Sequence, residues 1–308
     1  MRKLKGLPTH GWLILDKPQG LTSTDAVARV KRLYEAQKAG HAGTLDPLAT
    51  GILPIALGEA TKTVPYVVDG EKNYAFSVTW GAETDTDDSE GRVTKTAEPR
   101  PSEAGIKAIL PEFTGDIQQT PPQYSAIKVD GERAYDLARD GQSFELAART
   151  VTVYELRLVE HFENNSVTTF EADCGKGTYV RSLARDMGRR LGCLGHVSML
   201  RRTRVGPFRE QNAISLDKLS ETAKSAAGRD GLMTFVRPVE TALDDIPALS
   251  VSSADAARLN RGQPVLMRGA GAPILTGPAY ALCRGTLVAI GEIQKGELHP
   301  IRVFNLAQ

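Results

Sequence analysis

One carboxylate, Asp46, sits in a segment unlike the rest of the chain: Lys38-Ala39-Gly40-His41-Ala42-Gly43-Thr44-Leu45-Asp46-Pro47-Leu48-Ala49-Thr50-Gly51. The loop is glycine-rich, Pro47 fixes the backbone after the acid, and the His41 imidazole precedes it by five residues. Polar chemistry on a constrained loop between apolar elements suits an ionised carboxylate working as nucleophile or general base. Local chemistry alone favours a plainer reading, in which Asp46 caps the turn ahead of Pro47. Other candidates are weaker. Asp85, Asp87, Asp88, Ser89 and Gly91 suggest a calcium loop, but its glycine falls one place late and Thr96 stands where such a loop needs Glu. Gly175-Lys176-Gly177-Thr178 lacks the full phosphate-loop pattern, although a glycine turn entering a helix can hold one phosphate on free N–H groups. The histidines are scattered and the three cysteines (Cys174, Cys193, Cys283) share no short spacing, so neither a metal site nor a disulfide framework is expected.

The elements that must position Asp46 follow from periodicity. His10 to Asp16 reads as a buried strand ending in the turn Lys17-Pro18-Gln19-Gly20. Thr22 to Asp25 offers N-caps for a helix through about Lys38, striped by Ala26, Val27, Val30, Leu33 and Tyr34. Gly40 to Pro47 has no period and is a loop; Leu48 to Leu57 returns to apolar character. Asn73 to Trp80 alternates, with Tyr74, Phe76, Val78 and Trp80 on one face of a strand. An acidic turn, Glu83 to Gly91, follows. Ser102 to Leu110 reads as a helix, and Gln119-Thr120-Pro121-Pro122 breaks the chain before another near Arg133 to Arg139. Strands near Val151–Val159 and Val167–Asp173 lead to a helix capped by Thr178 and striped by Val180, Leu183, Ala184, Met187 and Leu191. This alternation predicts a mixed α/β domain over residues 1–245, with residues 246–308 forming a small, mostly β appendage.

Composition sets the class. The 308 residues are 41% hydrophobic and 24% charged, as in a soluble globular protein. The apolar run Trp12 to Leu15 is too short for a signal segment and no stretch could span a bilayer, so a cytoplasmic protein is expected. Net charge is only +1, but Lys176 to Arg209 holds nine Lys/Arg against one acid, Asp186. That cluster reads equally as a phosphate-binding surface or a solvated basic face. No heptad or apolar stripe calls for a partner helix, so a monomer is expected.

Gly40 to Lys62, GHAGTLDPLATGILPIALGEATK, resembles the signature of the TruB family of tRNA pseudouridine synthases. The likeness continues in Lys17-Pro18-x-Gly20-x-Thr22-Ser23, Lys72-x-Tyr74, Thr84-Asp85-Thr86-x-Asp88-x-x-Gly91, Pro121 to Arg139, Gly177 to Gly188 and Leu200 to Phe208. It implies a pseudouridine synthase fold, a largely antiparallel central sheet flanked by helices, with a PUA-like β-barrel at residues 246–308. It further implies isomerisation of uridine 55 in the tRNA T arm: the C1′–N1 bond breaks, the base turns, and C5 is joined to C1′. No atom is gained or lost, so no cofactor or metal is implied.

The resemblance assigns roles residue by residue. Asp46 carries the covalent chemistry. Arg181 keeps its carboxylate charged against burial, and a guanidinium could do so through two parallel hydrogen bonds. Tyr74 stacks on the flipped base, Tyr179 and Leu200 line its pocket, and His41 fills the space the base leaves. Lys17, Pro18, Gly43 and Pro47 support the loop. Lys176, Arg201 and Arg202 are expected to meet phosphates, and Arg185 to act only in salt-dependent RNA binding. The competing reading is a tRNA-folding chaperone using the same basic surface, with catalysis secondary.

Overall fold

The computed structural model describes residues 6–125, 127–129, 131–142, 144–162, 166–267 and 276–306; Ala126 and Asp130 of the Pro121–Arg139 block lie outside them. Strand β1 (Gly11–Lys17) is buried except at Asp16. Helix α1 (Ser23–Leu33) opens at Thr22, whose hydroxyl accepts from the Asp25 N–H. It stops well short of Lys38. Glu35 turns into the left-handed region, φ 48°, and Gln37 N donates to Leu7 O, which straightens the chain. The expected loop therefore begins as a short strand, β2 (Ala39–His41), paired with β3 (Thr50–Leu57).

Next come β4 (Lys72–Trp80), β5 (Gly115–Gln119), β6 (Arg149–Phe162), β7 (Val167–Cys174), helix α2 (Val180–Leu191), β8 (Gly195–Val205) and β9 (Ile214–Ser215). Among the described residues they form one ten-stranded sheet in the order β9-β1-β3-β8-β4-β7-β6-β5, with β2 on β3 and Phe208–Arg209 on β8. Only β1–β9 and β3–β8 run parallel along that path. The largely antiparallel mixed architecture matches the expectation.

Strands β1 and β3 are nearly continuous apolar runs because both of their faces are covered. Leu13, Leu15, Leu53 and Ile55 point to a main core closed by Ala26 and Val30 of α1, by Tyr34 at its C-cap, and by Val180, Leu183, Ala184 and Met187 of α2. Trp12, Ile14, Ile52 and Ala56 point the other way, to a second core shared with Leu287, Ile290 and Phe304. Leu287 and Ile290 belong to, and Phe304 directly follows, a separate five-stranded sheet ordered Ala248–Ser250, Gly277–Cys283, Thr286–Gln294, Glu297–Val303 and Val265–Leu266. The expected small β-barrel is an open sheet among the described residues, closer to half a barrel. No described helix is long and apolar enough to cross a membrane.

Candidate active site

The parallel pair β3–β8 and the antiparallel pair β8–β4 bring three chain segments to one place. The loop ahead of β3 carries Asp46, the start of β4 carries Tyr74, and β8 carries Leu200 and Arg202, with Arg202 lying opposite both Gly51 and Tyr74. The loop is tied down by its backbone, as a buried irregular segment must be. Ser23 Oγ accepts from Leu45 N at 2.8 Å and donates to Leu45 O at 2.9 Å. Gly20 N donates to Pro47 O at 2.7 Å. The fully buried Lys17 ammonium donates to Leu21 O at 2.7 Å, Pro18 O at 2.9 Å and Pro47 O at 3.4 Å. Burial lowers its pKa to about 8, with the Asp46 charge pulling the other way. Lys17, Pro18 and Pro47 thus meet at the loop's base.

Arg202 holds the other side. Its guanidinium donates to Ile52 O at 2.8 Å, Gly43 O at 3.0 Å and Thr44 O at 3.4 Å, and the residue is 1% exposed. That is a buried bracket under the loop and no position for meeting RNA phosphate, so the expectation for Arg202 gives way. Two glycines let the loop approach it. Gly43 adopts φ 98°, and Gly51 adopts φ 96° where a Cβ would stand 2.2 Å from Arg202 O.

With the loop so fixed, the Asp46 side chain keeps 35% exposure toward a cleft of about 920 Å³. Arg181, almost wholly buried, brings Nε to 2.9 Å from Asp46 Oδ2. The expected two-pronged fork is absent. Nη1 donates to Thr86 O at 2.7 Å and Nη2 to Tyr124 O at 2.8 Å, while the Nε approach is a charge contact without hydrogen-bond alignment. Asp88, buried, puts Oδ2 3.6 Å from Nη1 and accepts at Oδ1 from Thr86 Oγ1 at 2.6 Å and Glu90 N at 3.0 Å. This second carboxylate at the guanidinium received no role from sequence reasoning, although Thr84 to Gly91 was among the matching blocks.

His41, Tyr74, Tyr179 and Leu200 all line the same cleft. Burial holds the Tyr74 phenol above its usual pKa, so the ring faces the cleft uncharged. Tyr179, and not Thr178, is the N-cap of α2; Thr178 Oγ1 donates back to Gly175 O at 3.3 Å. The Tyr179 ring lies under the Arg149 guanidinium at 5.2 Å.

The basic segment is differently disposed from what its count suggests. Lys176 pairs with Asp69, Arg185 with Asp87 and Asp186, Arg189 with Glu83, Arg190 with Glu112, and Arg201 with Asp16 and Glu210. Most of those acids come from distant sequence, so the local surplus is largely neutralised in space. Arg185, expected to act only in salt-dependent RNA binding, is 7% exposed and also donates to Thr120 O at 2.8 Å. Burial, opposed by Arg185, pushes the Asp87 carboxyl up to about 6.

Comparison with known proteins gives the chain its relatives. Residues 31–180 match the description "TruB family pseudouridylate synthase (N terminal domain)" and residues 181–244 match "tRNA pseudouridylate synthase B C-terminal domain". The chain is 60% identical over 298 residues to tRNA pseudouridine synthase B of Rhodopseudomonas palustris, covering 96% of this chain and 81% of that one. It is 54% identical to the protein of the same name from Rhizobium meliloti, covering 98% of both. Its fold resembles a Cbf5-Nop10-Gar1 complex chain, with TM-score 0.74, 28% identity and coverage of 96% and 84%. A chain of an H/ACA RNP bound to a substrate RNA containing 2'-deoxyuridine aligns with TM-score 0.73, 26% identity and coverage of 99% and 90%. A carboxylate loop braced from below, paired to a buried arginine and open to an aromatic cleft is thus carried by a chain that belongs to the TruB family of pseudouridine synthases.

Proposed function

We propose that the protein is a tRNA pseudouridine synthase that isomerises uridine 55 of the T arm, with Asp46 as the nucleophile toward ribose or base. The observation that carries the reading is the Asp46 carboxylate, exposed only to a cleft walled by Tyr74, Tyr179 and Leu200 and 2.9 Å from a buried guanidinium. An aromatic platform offsets the cost of extruding a base, at about 1–3 kcal/mol per stacked base against a few kcal/mol. The reaction breaks C1′–N1, forms C1′–C5, releases the C5 proton and leaves a proton on N1. The base is an isomer of the one that entered, so no redox equivalent is consumed. The shared name of the relatives supports tRNA as the substrate.

The same reading divides the chain into a catalytic part, 1–245, and an RNA-binding appendage, 246–308, acting as a monomer in the cytoplasm. His41 would occupy the gap left by the flipped base. Lys176, 68% exposed beside the cleft, is the better phosphate contact; Arg201 would have to leave two carboxylates first.

Release of tritium from uracil C5 of a tRNA transcript tests the proposal. Asp46→Asn keeps size and hydrogen bonding but loses the charge. It should lower release by roughly a thousandfold or more while tRNA affinity stays within a few-fold. A near-normal rate in that variant sinks the assignment. Free uracil in place of tritium would indicate a glycosylase, and neither product a pure RNA chaperone.

A further inference from the structure

Tyr179 opens helix α2 without the side-chain oxygen that normally satisfies a first-turn N–H. Its backbone is instead held from outside the helix. The Gln119 side chain, 1% exposed, accepts from Tyr179 N at Oε1, 2.8 Å, and donates from Nε2 to Tyr179 O, 3.1 Å. One amide thus reproduces the two-bond exchange of a strand partner on a residue that belongs to no strand. Gln119 is the last residue of β5, and its cross-strand partner on β6 is Arg149. Arg149 donates to Gly177 O at 2.7 Å and packs its guanidinium over the Tyr179 ring. Adjacent strand ends therefore grip Tyr179 twice, Gln119 by its backbone and Arg149 by its ring.

We infer that Gln119 is a positioning residue for the isomerisation, acting through Tyr179 to set the ring's height and tilt in the cleft. This rests on the proposed role of the cleft. Arg181, two residues further on, has its own anchors at Thr86 O and Tyr124 O, so the effect of Gln119 is on the ring and not on the ion pair. Only a side chain of this reach with both a donor and an acceptor makes both bonds. Glu lacks the donor, Asn is one methylene short, and Met fills the volume with neither.

The test is single-turnover tritium release at saturating enzyme, with tRNA affinity and thermal melting measured on the same samples. Gln119→Met should lower the rate about ten- to a hundredfold, the cost of a small misplacement near the reacting atoms, with affinity changed less than threefold. In a Tyr179→Leu background the same substitution should add little further loss. A purely structural role would instead lower the melting temperature and leave the rate per folded molecule unchanged. If Met prevents folding, Gln119→Asn keeps the amide and should show the same split between rate and affinity. A wild-type rate in folded Gln119→Met, or losses that multiply with Tyr179→Leu, would overturn the inference. Absence of tritium release from every sample, wild type included, would instead overturn the functional reading beneath it.

Discussion

Three groups approach the guanidinium of Arg181 within 2.9 Å, the Asp46 carboxylate at Nε and the carbonyls of Thr86 and Tyr124 at the terminal nitrogens, with the Asp88 carboxylate a fourth at 3.6 Å. A lysine ammonium, one point on a flexible stem, cannot serve the three at these directions. Arg181→Lys should lose much of the single-turnover rate and Arg181→Met nearly all of it, with tRNA affinity little changed. Rates for Arg181→Lys within about twofold of wild type would remove the argument from geometry. Arg185, one turn on, behaves differently. Its buried contacts to Asp87, Asp186 and Thr120 O make it a stabilising residue. Arg185→Lys should lower the melting temperature by several degrees while the folded fraction turns over at close to the normal rate. Unchanged melting, with weaker binding at raised salt, would return Arg185 to the role of a phosphate contact.

The element that most constrains the site is the junction of the Asp46 loop with β3 and β8. Gly51 occupies the left-handed region, and a methyl group there meets the Arg202 carbonyl at 2.2 Å. Gly51→Ala therefore costs about 1–3 kcal/mol for the backbone alone, and should displace Arg202 from the loop carbonyls. Melting and tritium release should fall together; a variant with wild-type values would show that the junction tolerates movement. Helix α2 and the acidic turn before it give a pH dependence. Asp87 has a folded pKa raised to about 6, against an ordinary value near 3.8. Between those values the folded chain binds more protons than the unfolded one. The group therefore favours folding at low pH, and that contribution is lost as pH rises through about 6. Asp87→Asn is neutral throughout and removes this slope. The stability of wild type relative to Asp87→Asn, followed by denaturant melts, should decline from pH 4 to pH 7. Parallel curves would mean that Arg185 keeps Asp87 ionised throughout.

Across the whole molecule, the C-terminal sheet is part of the catalytic side's packing. Leu287, Ile290 and Phe304 cover Trp12, Ile14 and Phe208, and Lys62 donates to Val303 O at 2.8 Å while Asn305 N donates to Glu59 Oε2 at 2.8 Å. Ending the chain after residue 245 would uncover this apolar face of β1 and β3. The shortened protein should melt several degrees lower and bind tRNA more weakly. Solubility should improve when polar residues replace the uncovered apolar ones. A truncated chain with wild-type melting and wild-type tRNA affinity would contradict both the shared core and the RNA-binding appendage.

By itself the sequence determined some of the strands and helices, because β1, β4, β7 and α2 carry their periods in their own side chains, whereas β2, β5 and β8 were not foreseen and emerged only with their pairing partners. The Gly-rich carboxylate segment bounded by Pro47 stood out by composition, but its local chemistry favoured a turn cap, and only the family likeness gave Asp46 and the residues around it their expected roles. Only the tertiary structure decided how those residues are held. Periodicity leaves Arg181 at a stripe's edge, but its partners Asp46, Asp88, Thr86 and Tyr124 come from three distant segments. The charge run from Lys176 to Arg209 read equally as a phosphate surface or a solvated face because a count along the chain cannot see Asp16, Glu83, Asp87 or Glu112 folding back onto it. Arg202 and Gln119 were illegible for the same reason. A cation under a loop and an amide bonded to both backbone groups of a helix's entry residue are defined by carbonyls and N–H groups that every sequence possesses, and only folding decides which of them lie within reach.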